Sequence, residues 1–157
     1  MDILDEGILN LWKNLHDYNV KYIMVGGFAT NLHGFSRTTD DCDIWIEDTP
    51  ANRNNLRTAL EKNEGLDFSA VERMEFVPGW SSIQLQSGLS LDIMTYLKGF
   101  PQEAFENCYN QASEALLYDL TIRFLQLNHL IEAKKQTGRP KDLIDVIELE
   151  KIQKGNV

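Results

Sequence analysis

The spacing of apolar residues predicts alternating helices and strands over the first part of the chain. Apolar residues recur every three or four positions through residues 3–17, which predicts an amphipathic helix. Two runs rich in β-branched and aromatic residues, VKYIMV at 20–25 and CDIWIE at 42–47, predict strands. A short helix is predicted for FATNLHGF at 28–35 and a longer one for TPANRNNLRTALEKN at 49–63.

The second part of the chain begins with short apolar runs separated by turn residues. They predict four strands: LDFSAV at 66–71, MEFVP at 74–78, SSIQLQS at 81–87 and LSLDIMTYL at 89–97. An apolar stripe then predicts one helix through residues 114–136. The stripe consists of Leu117, Leu120, Phe124, Leu127 and Ile131. Gly138 and Pro140 end this helix, and a last helix is predicted over 140–153.

These elements predict an α+β fold, a mixed β-sheet flanked by helices with a helical C-terminal segment. We expect residues 1–100 to form the core and residues 101–157 the helical segment, packed on that core as a single compact unit. The length of 157 residues fits one domain.

Composition excludes several functional classes. No apolar run reaches the roughly 18 residues of a membrane span, so no membrane partner is expected. The N-terminal MDILDEG lacks the basic-then-apolar layout of a secretory signal. The two cysteines, Cys42 and Cys108, have no metal-like spacing. A protein of the reducing cytoplasm is therefore expected.

The charge balance argues against a general nucleic-acid-binding surface. The net charge is −9, from 15 basic and 24 acidic residues, and such a surface repels nucleic acid on average. One segment differs, because AKKQTGRPK at 133–141 contains basic residues and no acid. Two interpretations stay open for it: a solvated helix end followed by a turn, or a local basic patch.

Two aspartates on one predicted strand are candidate metal ligands. Residues i and i+2 of a strand point to the same face, so Asp41 and Asp43 project side by side. A divalent cation such as Mg²⁺ removes their mutual repulsion and keeps sites for water and substrate phosphates. The alternative is a pair of exposed acids at the start of a strand. The preceding residue, Asp40, is also acidic, so the choice of Asp41 and Asp43 as the metal pair is an inference. In the other register, Asp40 would pair with Cys42.

Gly26 and Gly27 follow a predicted strand and precede a predicted helix. Without Cβ atoms, the backbone can approach a phosphate closely, and the helix start offers free N–H donors. Ser36 and Arg37 can add a hydroxyl and a positive charge to the same site. The alternative is a strand-to-helix turn that uses glycine for its positive φ.

Asp92 interrupts an otherwise apolar predicted strand, so it faces solvent or joins a site. If this strand lies beside 42–47, three carboxylates converge. Two metal ions held there would activate an attacking hydroxyl and stabilise a leaving pyrophosphate.

These features resemble the nucleotidyltransferase superfamily, which has the polymerase-β-like fold. Its signature is an apolar residue followed by Gly-Gly or Gly-Ser, a helix, Asp-x-Asp or Asp-x-Glu on a strand, and a third acid on a later strand. The matching residues are Val25, Gly26, Gly27, Asp41, Asp43 and Asp92. Similar small bacterial members include antibiotic nucleotidyltransferases and those of abortive-infection and toxin–antitoxin modules.

The C-terminal stretch LIEAKKQTGRPKDLIDVIEL at 130–149 resembles later motifs of the abortive-infection nucleotidyltransferases. There, a lysine on one helix precedes an Arg/Lys-Asp-x-x-Asp on the next. The resemblance implies that Lys134 and Lys141 contact phosphates and that Asp142 assists the base or orients a positive group. The alternative is that Asp142 complements the helix dipole while Lys141 and Asp145 form an i,i+4 pair.

Three further residues have open roles. His33 either lines the nucleotide pocket or is a packed or helix-capping histidine. Trp45 and Trp80 are predicted to pack in the core or at an edge, rather than to stack on bases. The loop FVPGWSS at 76–82 can alternatively lie over the site and expose its tryptophan.

The resulting functional prediction is a Mg²⁺- or Mn²⁺-dependent nucleotidyltransferase. Its metal ligands are Asp41, Asp43 and Asp92, and its substrate is a nucleoside triphosphate. The acceptor hydroxyl belongs to a tRNA, a partner protein or a small molecule, and a homodimer is among the expected assemblies. The alternative is a non-catalytic, antitoxin-like binding protein on the same fold.

Overall fold

The computed structural model describes residues 5–39 and 41–155. The helices in these ranges are α1 (Glu6–Asp17), α2 (Gly26–Leu32), α3 (Pro50–Glu64), α4 (Phe105–Asn110), α5 (Leu127–Thr137) and α6 (Pro140–Gln153). The strands are β1 (Tyr22–Val25), β2 (Asp41–Ile46), β3 (Ser82–Gln84), β4 (Ser90–Met94), β5 (Ser113–Leu117) and β6 (Leu120–Phe124).

All six strands form one mixed sheet in the order β3-β4-β2-β1-β6-β5. β1 and β2 are antiparallel, whereas β2–β4 and β1–β6 are parallel. Helices flank this sheet, so the predicted α+β class is confirmed. The last hairpin, β5–β6, pairs with β1, so the second half of the chain completes a sheet that the first half begins. The predicted division near residue 100 stays a prediction.

Large side chains cover both faces of the sheet. On one face, the ring of Trp12 from α1 stacks on Tyr22 of β1 at 5.9 Å between ring centres. On the other face, Trp45 of β2 meets Phe105 of α4 edge to face at 5.3 Å. Trp12 and Trp45 are fully buried. The predicted core position of Trp45 is therefore confirmed.

The boundaries of α3 and the C-terminal end of α5 follow the predicted signals, whereas α2 begins at Gly26, before the predicted start at residue 28. The Thr49 hydroxyl accepts a hydrogen bond from the Asn52 N–H at 3.1 Å, and Pro50 begins α3. α3 ends at Gly65 and α5 at Gly138, which adopt φ of 69° and 66°. This left-handed conformation costs glycine little, and it terminates a helix.

The prediction of one helix over 114–136 is wrong. The segment forms the hairpin β5–β6 and then α5. Leu117 pairs with Leu120 across a two-residue turn in which Tyr118 has a φ of 55°. Within β6, Ile122 and Phe124 are buried and their neighbours are not, which is the period of a strand. The apolar stripe spanned three elements, β5, β6 and α5, and only mimicked one helical face.

The strands predicted at 66–71 and 74–78 are also wrong. Asp67 accepts hydrogen bonds from the backbone N–H and hydroxyl of Ser69, which starts a short 3₁₀ turn at Ser69–Glu72. The guanidinium of Arg53 donates to the carbonyls of Val71 and Met74. A side chain therefore satisfies backbone groups that strand pairing would otherwise use.

Two further predictions concern environment. Both thiols, Cys42 and Cys108, are buried and unpaired. Among residues 5–39 and 41–155, no helix is long and apolar enough to cross a bilayer.

Candidate functional site

A cavity of about 520 Å³ opens at the ends of β1, β2 and β4 and is bounded by α5 and the start of α6. Its acidic wall consists of Asp41, Asp43 and Asp92. Its cationic side consists of Lys98, Lys134, Arg139 and Lys141. Opposite charges thus face one cavity, which suits a ligand that carries both a metal cation and an anionic group.

The sheet register brings the acidic wall together. Asp43 of β2 is the register partner of Asp92 on the parallel strand β4, and Asp41 is the partner of Ser90. Neighbouring strands lie about 4.8 Å apart, so the side chains of Asp43 and Asp92 stand side by side. Cys42, between the two β2 aspartates, is fully buried on the opposite face. The strand pairing on which the predicted convergence of three carboxylates depends is present, and all three aspartates line the cavity.

Asp43 has the most perturbed carboxyl of this wall. Burial, followed by the negative charges of Asp92 and Asp41, raises its pKa from 3.8 to about 7, although Lys134 and Lys141 oppose the rise. In the absence of a cation, a large fraction of Asp43 is therefore protonated at neutral pH. A bound divalent cation would displace this proton and remove the repulsion.

The two carboxylate oxygens of Asp92 have different surroundings. Its Oδ2 accepts a hydrogen bond from the Gly79 N–H at 3.0 Å, while its buried Oδ1 has no hydrogen-bond partner among the described residues. Burial raises its pKa, Gly79 and Ser81 lower it, and Asp41 raises it, with a net increase. A buried carboxylate oxygen without a partner is costly, and a metal ion would satisfy it.

The acidic wall fits a metal by its chemistry, because Mg²⁺ and Mn²⁺ prefer carboxylate oxygens. In the described part of the chain, however, no three His, Cys, Asp or Glu side chains are already arranged as a metal-binding cluster. The carboxylates share one wall, and ligation would require their side chains to turn toward a common point.

Gly26 is required by its position under this wall. Its φ is +70°, and a Cβ there would collide with Oδ2 of Asp43. Of the two glycines, only Gly26 lines the cavity among the described residues. A Cβ on Gly27 would instead lie 2.9 Å from Oγ1 of Thr39 and 3.4 Å from Nη2 of Arg37. Gly27 therefore serves close packing against the 37–39 segment, and its predicted phosphate contact has no support from the cavity geometry.

Lys134 lies at the centre of a buried charge network. Its Nζ is 2.8 Å from Oδ2 of Asp145 and 3.5 Å from Oδ1 of Asp142. The same Oδ2 of Asp145 accepts a hydrogen bond from Nη2 of Arg37 at 3.0 Å. Lys134 and the two aspartates are each at most 5% exposed. The lysine is thus fixed at the cavity wall by two carboxylates, and the alternative Lys141–Asp145 pair is not formed.

Asp142 is fully engaged in this network. Its Oδ2 accepts hydrogen bonds of 2.6 Å from the Thr137 hydroxyl and from Nε of Arg139. Burial raises its pKa, but these hydrogen bonds and the charges of Lys134 and Arg139 outweigh burial and hold the pKa below its usual range. A carboxylate with a low pKa is a poor general base. Of the two predicted roles, the orientation of a positive group fits this geometry.

A protein-family match covers almost the whole chain. A family model described as "Nucleotidyltransferase of unknown function (DUF6036)" matches residues 1–156. The chain belongs to this nucleotidyltransferase family. Among curated proteins, no significant match was found.

A solved structure supports the fold of this family member. It is the crystal structure of an antigenic nucleotidyltransferase-like protein from Paracoccidioides brasiliensis, with a TM-score of 0.55 and 18% sequence identity. The match covers 91% of this chain and 72% of the other. The nucleotidyltransferase-type fold is thereby confirmed. The neighbour is a fungal protein, so the predicted bacterial and toxin–antitoxin relationships stay predictions.

Several predicted site residues of this family member lie elsewhere. Ser36 is exposed and is not among the described residues that line the cavity. Arg37 is directed to Asp145, so its predicted phosphate contact is replaced by an ion pair. His33 caps α2, and its Nε2 is 2.7 Å from the carbonyl oxygen of Leu125, so it is a packed histidine. Asp40 lies outside the described residues.

The structure also adds residues that the sequence prediction missed. Lys98 follows β4 and lines the cavity, as does Thr137 at the end of α5. Within the part of the chain that the structure describes, Lys98 and Lys141 form no ion pair. The sequence feature that could have identified Lys98 is its position just beyond the predicted strand that carries Asp92. The prediction that Trp80 packs in the core or at an edge is wrong, because this side chain is exposed. The alternative, a 76–82 loop at the site, agrees with the structure, since Pro78 and Gly79 line the cavity.

Proposed function

We propose that this chain transfers a nucleoside monophosphate from a nucleoside triphosphate to a hydroxyl acceptor and depends on Mg²⁺ or Mn²⁺. One observation carries the proposal: three aspartates and four cationic side chains line the same cavity, and within residues 5–39 and 41–155 nothing bonds to the buried Oδ1 of Asp92. A metal-bound triphosphate has the complementary distribution of charge.

Asp41, Asp43 and Asp92 would hold the metal. The bound ion would lower the pKa of the attacking hydroxyl and neutralise charge on the phosphates. The chain contributes the orientation of its ligands: Gly79 holds Asp92 through its N–H, and Gly26 gives Asp43 the space that it occupies.

The cationic side of the cavity would bind the anionic phosphates. Lys98 and Lys141 are available for direct contact because they form no ion pair among the described residues. Lys134 is held in one position by Asp142 and Asp145, so it needs little reorganisation to meet a phosphate. Such positioning, together with charge neutralisation, supplies most of the catalysis in this kind of transfer.

The acceptor is a hydroxyl of a protein, a small molecule or an RNA end. The basic segment 133–141 supports a triphosphate better than an RNA backbone, because Lys134 is buried and Arg139 and Lys141 line the cavity. The net charge of −9 also favours an acceptor without a long phosphate backbone.

Label transfer tests this function. The chain is incubated with each α-labelled nucleoside triphosphate and Mg²⁺ or Mn²⁺, and with total RNA, cell lysate protein, small metabolites or buffer alone. The inactive variant is Asp41→Asn/Asp43→Asn, and the matched control is Asp119→Asn, an exposed aspartate in the β5–β6 turn. We expect label on one fraction with wild type and control only. Equal labelling by the double variant would refute the assignment of the acidic wall.

A second candidate, a non-catalytic nucleotide-binding protein, has its own support. The described residues contain no preformed three-ligand metal cluster, and two buried carboxylates partly neutralise Lys134. This candidate predicts nucleotide binding without transfer to any fraction. Equilibrium dialysis of labelled triphosphate beside the transfer assay distinguishes the two.

A further inference from the structure

Trp80 is the most exposed large apolar side chain of the described residues, with 85% of its surface accessible. The other two tryptophans, Trp12 and Trp45, are fully buried. Trp80 lies within the 76–82 loop, and its neighbours Gly79 and Ser82 line the cavity. Trp80 is not itself among the described residues that line the cavity, so its backbone lies at the cavity edge and its indole is exposed to solvent.

The loop presents this indole on a fixed turn. The Trp80 N–H donates to the carbonyl of Val77 at 2.9 Å, and Gly79 has a φ of +80° after Pro78, which is the pattern of a type II turn. The hydroxyl of Ser81 accepts from the Val77 N–H at 2.9 Å and donates to the Glu75 carbonyl at 3.2 Å. Bonds on both sides of Trp80 thus restrain the backbone that carries it.

The same turn contacts the acidic wall. The Gly79 N–H donates to Oδ2 of Asp92 at 3.0 Å, and the Ile93 N–H donates to the Ser81 carbonyl at 3.1 Å. Trp80 is therefore one residue from a group bonded to a predicted metal ligand. A nucleotide whose α-phosphate lies beside Asp92 would have its sugar and base near this turn.

We propose that Trp80 is the stacking platform for the nucleobase of the bound nucleoside triphosphate. The inference rests on the proposed function. An indole has only two side-chain torsions, so on a restrained backbone it loses little conformational entropy when a base covers it, and every nucleobase offers a π-face. Stacking also places the base outside the charged walls, so that the phosphates alone meet the cations.

Tryptophan fluorescence tests the inference in the unmodified chain. Because the other two indoles are buried, emission from Trp80 is the red-shifted, quencher-accessible component. We expect Mg²⁺ with a nucleoside triphosphate to quench this component and to protect it from acrylamide. Inorganic tripolyphosphate with Mg²⁺ carries the same phosphates without a base, and we expect it to do neither.

Variants give an independent measure. Trp80→Ala should weaken nucleoside triphosphate binding between roughly fivefold and a hundredfold, the range for loss of one base–aromatic stack, and should leave tripolyphosphate binding unchanged. Trp80→Phe should restore most of the affinity. The matched control is Tyr118→Ala, which removes another exposed aromatic ring, in the β5–β6 turn. It should bind both ligands as wild type does.

The outcomes separate the two proposals. If wild type binds the triphosphate with Mg²⁺ but Trp80 is not quenched, or if Trp80→Ala binds it with wild-type affinity, the stacking role is refuted and the proposed function stands. Equal weakening of nucleotide and tripolyphosphate binding by Trp80→Ala would also refute stacking. If wild type binds neither ligand, both proposals fail. Should Trp80→Ala not fold, the quenching of wild type decides the question alone.

Discussion

Replacement of Asp43 by asparagine should stabilise the metal-free chain at alkaline pH. The difference between the ordinary pKa of 3.8 and about 7 in the folded chain corresponds to an upper limit of about 4 kcal/mol, at about 1.4 kcal/mol per pH unit. Asp43 is partly exposed, and solvent screening reduces this value. We therefore expect the free energy of unfolding to rise by about 2–4 kcal/mol in Asp43→Asn at pH 8.

The sign of the effect depends on pH. The folded chain holds the Asp43 proton more tightly than the unfolded chain, so protonation stabilises the fold fully below pH 3.8. That contribution is lost as the pH rises toward about 7. The gap between variant and wild type should therefore be small near pH 4, grow through neutral pH and level off above it. Comparison of the two chains at each pH cancels titration of the other carboxyl groups.

Urea unfolding in EDTA, followed by far-UV circular dichroism from about pH 4 to 8, measures this gap. Asp119→Asn is the control and should follow wild type throughout. Repeating the series with saturating Mg²⁺ should reverse the order at pH 8, because only wild type keeps the ligand and gains binding energy. A gap that does not change with pH, or a variant less stable than wild type at pH 8 in EDTA, would refute the assigned rise in the pKa of Asp43.

Three other substitutions test separate parts of the site. Gly26→Ala should lower the melting temperature well below that of Gly138→Ala; both residues have a left-handed φ, but only at Gly26 does a Cβ meet another residue, Asp43. Similar losses in the two variants would contradict the collision. Asp145→Asn should lower the free energy of unfolding in urea by about 3–5 kcal/mol, because Lys134 loses its closest carboxylate in a buried site. The control Glu148→Gln, at an exposed ion pair, should lower it by about 0–1 kcal/mol. Lys141→Gln should weaken triphosphate binding more than monophosphate binding in equilibrium dialysis, and equal weakening would exclude Lys141 from the phosphate contacts.

The sequence predicted the acidic wall because local rules sufficed. Strand alternation placed Asp41 and Asp43 on one face, and an acid within an apolar strand marked Asp92. Their convergence depended on the pairing of β2 with β4, which the sequence could only pose as a condition. The helix signals around α3 were equally local, so they were predicted correctly.

The remaining features depended on contacts distant in sequence. The place of the β5–β6 hairpin in the sheet depends on the pairing of β6 with β1, and no local period reveals that pairing. Arg37 was predicted to contact phosphate, whereas it bonds to Asp145. Because Asp145 is 108 residues away in sequence, no local pattern indicated this pair. Trp80 was predicted to pack in the core or at an edge, and its exposure depends on a turn fixed by Ser81.

The placement of β6 beside β1 has a consequence for the order in which the site is made. Once residue 94 has left the ribosome, all three wall aspartates exist, but Lys134, Arg139 and Lys141 are still to be synthesised. The Leu125 N–H that bonds to the Met24 carbonyl, next to the site, also arrives late. A growing chain therefore carries mutually repelling carboxylates without their countercharges. The cavity acquires both of its charged walls only after residue 141 has been synthesised.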